Sequence, residues 1–267
     1  MTPRARAAGL IVALGLVLGV VATARGQAEA VAPTGTLRVA FLATNPVHGR
    51  VDPRTGAVAG PVADLVAEFA RRERLPYRLV PGANAAAVIA LVQRGEADAG
   101  VLAFEPARAR EVEFAGPFAV MFSTYLVRAD SPLHALGDVD RPGVRVGAVR
   151  GQTQELHLSA HLTQAKVRVF EAQPSAADLQ RMLVAGELDA FGLNGQRAAD
   201  AVAGSGGALR AIPGSFVDVE QSFVVKLGHE AAASAFRRFA ADAVRSGLVQ
   251  RALDRANVTG AAVVQRR

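Results

Sequence analysis

A short phrase that occurs twice constrains the fold of this chain more than any other feature. Residues 91–99 read LVQRGEADA, and residues 183–190 read LVAGELDA, one residue shorter. In both copies a glycine ends an amphipathic helix, where a left-handed backbone is commonly needed. An acidic turn and an apolar run follow, typical of parallel strands buried on both faces. The repeat therefore predicts two similar α/β lobes.

The position of a ligand site follows from this architecture. Ligands of open α/β sheets bind beyond the carboxyl ends of the parallel strands. The two apolar runs, 99–104 and 190–193, are followed by residues 105–108 and by Asn194. We therefore expect functional residues at these two places.

The rest of the chain extends the same alternation of strands and helices. One apolar stripe at helical spacing is formed by Val62, Leu65, Val66 and Phe69. Residues 112–114, 117–128 and 217–225 read as extended, and 231–252 reads as one long terminal helix. We expect a first lobe over 33–122 plus 220–267 and a second lobe over 123–219. Chain crossings near 119–124 and 217–224 would form the hinge.

The first thirty residues have the order of a secretory signal peptide. Arg4 and Arg6 precede a thirteen-residue apolar stretch, and small residues follow with two A-x-A sites at 22–24 and 28–30. An uncleaved anchor is the alternative, but the stretch is shorter than the roughly 20 residues that span a bilayer. We therefore predict a signal peptide over 1–30, cleavage, and a periplasmic location.

Composition excludes several classes of function. The net charge is +6, but the arginines are scattered and aromatic residues make up only 5%, which argues against nucleic-acid binding. The chain has no cysteine, so disulfides, thiolate metal sites, a thiol nucleophile and a lipid-modified N-terminal cysteine are excluded. We expect a protein that is not lipid-anchored.

Several motifs, in this order, resemble those of the type 2 periplasmic solute-binding proteins, in particular the polar amino-acid branch that serves ABC importers. The resemblance covers nearly all of the chain after the predicted signal peptide. The matching segments are TLRVA (36–40), GPVADL (60–65), RGEADAGVLAFEPARAREVEFAGPF (94–118), VGAVRGQTQE (146–155) and GELDAFGLN (186–194). The resemblance implies a two-lobed α/β fold of the type II periplasmic-binding-protein kind, with two parallel-core sheets joined by a two-strand hinge.

The resemblance also implies two groups that hold a ligand carboxylate. Arg108 matches the family arginine, and a guanidinium meets a carboxylate with two parallel hydrogen bonds. The structural alternative is a surface arginine paired with Glu105 or Glu111. Gly151, Gln152 and Thr153 match a helix start that receives the same carboxylate from the opposite lobe. The alternative there is simple N-capping by Thr153, with Glu155 stabilising the first turn.

This chain departs from the family pattern where an amino group would be recognised. Asn194 stands at the position of the family aspartate, and an amide supplies no counter-charge. Glu105 replaces the family threonine; it could accept the amino group, or serve as an ordinary acid before Pro106 at a helix start. Asn45 and Asn84 lie in the segments where the family has aromatic residues. With Ala103, at the end of the first apolar run, they complete the predicted ligand-binding set.

We therefore expect a monomeric importer subunit that takes a small carboxylate, works with an inner-membrane ABC permease, and needs no cofactor or metal. The alternative is a cyclohexadienyl (prephenate or arogenate) dehydratase-like enzyme on the same fold, with Glu105 as general acid. A sensory module is a third class, less favoured because no further domain follows. His157 and His161 have metal-ligand spacing but no third ligand, which favours an exposed helix face.

Overall fold

The computed structural model describes residues 28–43, 45 and 47–265. The predicted signal peptide lies outside these residues except for 28–30, which are helical together with residue 31. Strands and helices alternate along most of the chain, as the sequence predicts. In the part of the chain that is described, no helix is long and apolar enough to cross a membrane.

The strands follow one another along the chain as β1 (Leu37–Leu42), β2 (Arg50–Val51), β3 (Val58–Ala59), β4 (Tyr77–Gly82), β5 (Ala99–Ala103), β6 (Val112–Arg128), β7 (Arg145–Val149), β8 (Lys166–Phe170), β9 (Ala190–Asn194), β10 (Leu209–Ala211), β11 (Val217–Lys226) and β12 (Ala261–Val263). The helices are α1 (Pro61–Glu73), α2 (Ala85–Gln93), α3 (Thr153–His161), α4 (Ala176–Val184), α5 (Gly195–Gly204), α6 (Glu230–Arg245) and α7 (Leu248–Arg255). Short 3₁₀ turns lie at Arg108–Arg110 and Leu136–Asp138.

The main sheet has the order β4-β1-β5-β11-β6-β9-β7-β8. Strands β4, β1 and β5 are parallel to one another, as are β9, β7 and β8. The long strands β6 and β11 are antiparallel to their neighbours and join the two parallel sets. The two predicted sheets are therefore hydrogen-bonded into one. Residues 112–114 and 117–128, predicted as separate segments, belong to the single strand β6.

The two copies of the repeat adopt the same local structure. Helix α2 is followed by Gly95 with φ of 69°, and helix α4 by Gly186 with φ of 68°. In both cases the chain then enters a strand, β5 or β9, in which at least four residues are buried. The left-handed glycines lead each helix into its strand, as the repeated phrase predicts.

The first hydrophobic core is built around helices α1 and α6. The predicted stripe of α1 is buried, and Phe69 within it stacks on Phe236 of α6 with ring centroids 4.3 Å apart. Phe239 meets Phe69 edge to face at 5.1 Å. The C-terminal part of the chain thus packs against the N-terminal lobe, although the predicted lobe boundaries stay a prediction.

The predicted single helix over 231–252 is wrong in one respect. The chain forms two helices, α6 and α7, separated at Gly247, where φ is 71°. This left-handed backbone is tolerated by glycine and interrupts the helical hydrogen-bond pattern. The turn redirects α7, and β12 then pairs with β6, an element that the sequence did not indicate.

Candidate functional site

A cleft of about 890 Å³ lies where the strand ends of both parallel sets meet. Eight of the nine predicted ligand-binding residues line it: Asn45, Asn84, Ala103, Arg108, Gly151, Gln152, Thr153 and Asn194. Glu105 is not among the lining residues. The cleft therefore brings together residues from β5, the β7–α3 turn and the end of β9, which are far apart in sequence.

Arg108 connects the two sides of the cleft. Its Nη1 donates to the carbonyl oxygen of Ala103 at 2.9 Å, and its Nη2 donates to the carbonyl oxygen of Gly151 at 2.8 Å. The residue is only 8% exposed and forms no ion pair with Glu105 or Glu111. Burial lowers the pKa of Arg108, and the charges of the two glutamates oppose that shift. The surface-pair alternative is therefore not what the structure shows.

The start of helix α3 faces the cleft without a side-chain cap. Gln152 is the N-cap residue and makes no capping hydrogen bond. Thr153 is the first helical residue, and its buried hydroxyl oxygen has no hydrogen-bond partner. Thr153 therefore does not cap the helix, whereas the Glu155 carboxylate in the first turn accepts a hydrogen bond from the Gly151 N–H at 3.1 Å. The first N–H groups of a helix lack intrahelical acceptors, so this end is available to an anion.

The other two helices that begin at the cleft are capped by their own asparagines. The Asn84 Oδ1 accepts a hydrogen bond from the Ala87 backbone N–H at 2.8 Å, at the start of α2. The Asn194 Oδ1 accepts one from the Arg197 N–H at 2.9 Å, at the start of α5. Of these three helix starts, only that of α3 is without a side-chain cap.

Two buried polar pairs at the cleft each include one residue of a crossing strand. His48 Nδ1 accepts a hydrogen bond from the Leu42 N–H, which leaves Nε2 to donate to Gln221 Oε1 of β11 at 2.9 Å. Burial lowers the pKa of His48 to about 4, opposed by the Gln221 hydrogen bond. On β6, the Ser123 hydroxyl oxygen accepts from Gln154 Nε2 at 2.9 Å.

Several polar cleft residues are not predicted from the sequence, namely His48, Gln154, Gln173, Arg197 and Gln221. Gln154 directly follows the predicted helix start, so its proximity in sequence was a usable signal. The other four residues belong to no recognised motif, and only folding brings them to the cleft. Asn45 is tied into its own loop, where its Oδ1 accepts from the Val47 N–H at 3.0 Å.

Positive charge predominates in the cleft. Three arginines, at 108, 150 and 197, line it, against two carboxylates, Glu111 and Glu171. Glu171 is paired with Arg150 at 2.8 Å, and this hydrogen-bonded contact lowers the pKa of Glu171. The larger apolar lining residues are Leu42, Ile89, Met121, Val149, Leu156 and Val219, and no phenylalanine, tyrosine or tryptophan is among the described lining residues. The arrangement suits a small anionic ligand.

The described ranges contain no cluster of three or more histidine, cysteine, aspartate or glutamate residues that could hold a metal ion. His157 and His161 stack on one another with ring centroids 4.0 Å apart, and His161 Nδ1 lies 2.8 Å from the His157 carbonyl oxygen.

Solved structures share this fold. A binding component of an ABC transporter from Wolinella succinogenes, complexed with lysine, is 20% identical and has a TM-score of 0.72 over 83% of this chain and 95% of that one. An amino acid ABC transporter substrate-binding protein from Streptococcus pneumoniae, bound to L-arginine, is 20% identical, with a TM-score of 0.71 over 85% and 97%. An ancestral amino acid-binding protein, a precursor of cyclohexadienyl dehydratase, is 22% identical, with a TM-score of 0.71 over 85% and 97%.

A sequence comparison with curated proteins gives no match. A family model does match, and it covers residues 37–256, most of the chain. The two-lobed α/β fold predicted from the sequence is confirmed by this match and by the shared architecture. The chain belongs to the bacterial extracellular solute-binding proteins, family 3.

Proposed function

We propose that this protein is the periplasmic substrate-binding subunit of an ABC importer and captures a small carboxylate ligand in its cleft. One observation carries the proposal. A buried guanidinium, Arg108, hydrogen-bonds to the Gly151 carbonyl directly before the uncapped helix start at Gln152 and Thr153. A planar cation and free N–H groups on opposite sides of a cleft form a site for one carboxylate.

Hinge closure follows from the way the two sides are connected. Arg108 follows β5, whereas Gly151 follows β7, and the crossing strands β6 and β11 join the two parallel sets. A carboxylate held by Arg108 and the α3 start contacts both sides only when they are close together. The ligand therefore shifts the population towards the closed state. We place the lobes at 33–122 plus 220–267 and at 123–219.

Export and delivery complete the proposal. The family consists of extracellular proteins, and the N-terminal pattern over 1–30 is that of a cleaved signal peptide. Two structural neighbours are components of ABC transporters. We propose that the closed form of this chain, as a monomer, docks on an inner-membrane permease.

The test is a thermal-shift screen of the purified protein against amino acids and small organic acids, repeated with Arg108→Ala. A hit should bind about 100-fold more weakly to the variant, because losing a buried charged hydrogen-bond pair costs about 3 kcal/mol. Arg108→Lys should give an intermediate loss, since an ammonium lacks the planar fork. The matched control is Arg150→Ala, which removes an exposed cleft arginine already paired with Glu171.

Equal binding by wild type and Arg108→Ala would contradict the proposed site. The enzyme alternative has its own readout, which is production of phenylpyruvate from prephenate. Its general-acid candidate, Glu105, does not line the cleft. The Arg150 contact lowers the pKa of Glu171, the opposite of what an acid catalyst needs near neutral pH. Steady turnover of prephenate would overturn the assignment as a binding protein.

A further inference from the structure

We propose that the ligand carries an oxygen acceptor, and not an ammonium group, beside its carboxylate. The chemical class is a small 2-oxo or 2-hydroxy acid. This inference rests on the proposed function, because it concerns the same cleft. It comes from the hydrogen-bond state of Asn194 and from the acceptors that the rest of the cleft provides.

Asn194 presents a donor to the cleft. The Arg197 backbone N–H can only donate, so the single amide oxygen of Asn194 must face it, at 2.9 Å. The amide nitrogen is then the free end, and it has no partner among the described residues. Asn194 is only 7% exposed and lines the cleft. An N–H₂ group that faces the cleft and has no protein partner favours a ligand oxygen and is unfavourable beside an ammonium.

An aspartate at this position would behave differently. One carboxylate oxygen could cap α5 while the other accepted a hydrogen bond from an ammonium and supplied its counter-charge. An asparagine cannot do both, because its only oxygen is used in the cap. The asparagine at position 194 therefore offers the ligand a hydrogen-bond donor where an aspartate would offer an acceptor.

The other acceptors do not replace that function. The Ala103 carbonyl already accepts from Arg108, and Glu105 does not line the cleft. Glu171 is paired with Arg150, and Glu111 is exposed to solvent.

Two buried cleft oxygens have no hydrogen-bond partner, the Thr153 Oγ1 and the Gln173 Oε1. Both are neutral, so each could accept from a ligand hydroxyl but would leave an ammonium without a counter-charge.

The electrostatic potential of the cleft also favours a ligand without an ammonium group. Helices α2, α3 and α5 all begin at the cleft, and each N-terminus carries partial positive charge. Three arginines outnumber two glutamates among the lining residues. These charges attract a carboxylate and repel an ammonium placed beside it.

The experiment measures affinities by calorimetry for sets of ligands that differ only at the α-position. The sets are L-alanine, pyruvate and L-lactate; L-leucine, 4-methyl-2-oxopentanoate and L-2-hydroxy-4-methylpentanoate; and L-glutamate, 2-oxoglutarate and L-2-hydroxyglutarate. In the set that binds best, we expect the 2-oxo or 2-hydroxy acid to bind at least about tenfold more tightly than the amino acid.

The decisive variant is Asn194→Asp, which should fold because aspartate caps a helix as well as asparagine does. It should shift the preference towards the amino acid by about tenfold or more. Asn194→Ala, which offers neither donor nor second oxygen, should weaken the oxo acid without improving the amino acid.

The outcomes separate the two proposals. An amino acid that binds wild type more tightly than its oxo and hydroxy partners, and loses affinity in Arg108→Ala, would overturn this inference and support the proposed function. An unchanged preference in Asn194→Asp would overturn the assigned role of Asn194. Failure of every compound to bind would overturn the carboxylate-binding function itself, and the inference with it.

Discussion

The two copies of the repeat have the same backbone design and different surroundings. In the first, the Asp98 carboxylate accepts from the backbone N–H and the Nε of Arg38, at 2.8 and 3.0 Å. In the second, Asp189 accepts from the same atoms of Arg145, at 2.8 and 2.9 Å. Asp98 is 5% exposed and Asp189 is 33% exposed. The two salt bridges have the same geometry, but we expect the Arg38–Asp98 bridge to contribute more to stability, because burial lowers the dielectric constant around its charges.

The largest expected loss of stability comes from breaking these two salt bridges, Arg38–Asp98 and Arg145–Asp189. Asp98→Ala leaves the partly buried Arg38, whose side chain is 14% exposed, without its counter-charge and should lower the unfolding free energy by about 3 kcal/mol. Asp189→Ala breaks a more solvated pair and should cost about 1 kcal/mol. Urea unfolding followed by circular dichroism measures both values. Equal losses would contradict the role assigned to burial.

The buried pairs on the crossing strands should differ in their response to acid. His48 in the folded chain has a pKa of about 4, below its ordinary value of 6.5. As the pH falls from 7 towards 4.5, the unfolded chain gains a proton that the folded chain does not, so stability is lost. The contribution is about 2–3 kcal/mol.

The unfolding free energy is measured at pH 7 and 4.5 for wild type and His48→Gln. The carboxylates contribute to the acid sensitivity of both proteins, so the difference between the two is the contribution of His48. The matched variant on β6, Ser123→Ala, has no titrating group in its pair and should keep the acid sensitivity of the wild type. A His48→Gln variant as acid-sensitive as the wild type would rule out this source.

The turn glycines should show where the two copies are equivalent. Gly95→Ala and Gly186→Ala place a Cβ in a left-handed backbone, and neither Cβ meets an atom within 4 Å. Conformational strain alone should then cost about 1 kcal/mol in each variant, by denaturant unfolding. A difference of more than about 1 kcal/mol would show that the two turns are not equivalent.

The smallest effect is expected for the Arg150–Glu171 pair at the mouth of the cleft. Both side chains are more than half exposed, so water and salt screen their interaction. Glu171→Gln should leave the denaturation midpoint unchanged within error at low and high salt. A clear, salt-dependent loss of stability would show that this pair stabilises the fold, as the salt bridges of Asp98 and Asp189 are expected to do.

Much of the fold could be predicted because its signals are local. The stripe of α1, the two glycine turns and the apolar strands follow from helix and strand periodicity. The division of the terminal helix at Gly247 and the pairing of β12 could not be predicted. A lone glycine within a helical pattern is ambiguous, and β12 is stabilised by β6, which lies far away in sequence.

The sequence by itself determined the two-lobe α/β plan and the residues at the strand ends, because these depend on periodicity and position. Tertiary structure decided the hydrogen-bond state of those residues. It brought Arg108 to the Gly151 carbonyl, left the α3 start uncapped and committed the Asn194 oxygen to α5. Such states depend on the partners that folding brings within hydrogen-bond distance, and no sequence pattern encodes those distances.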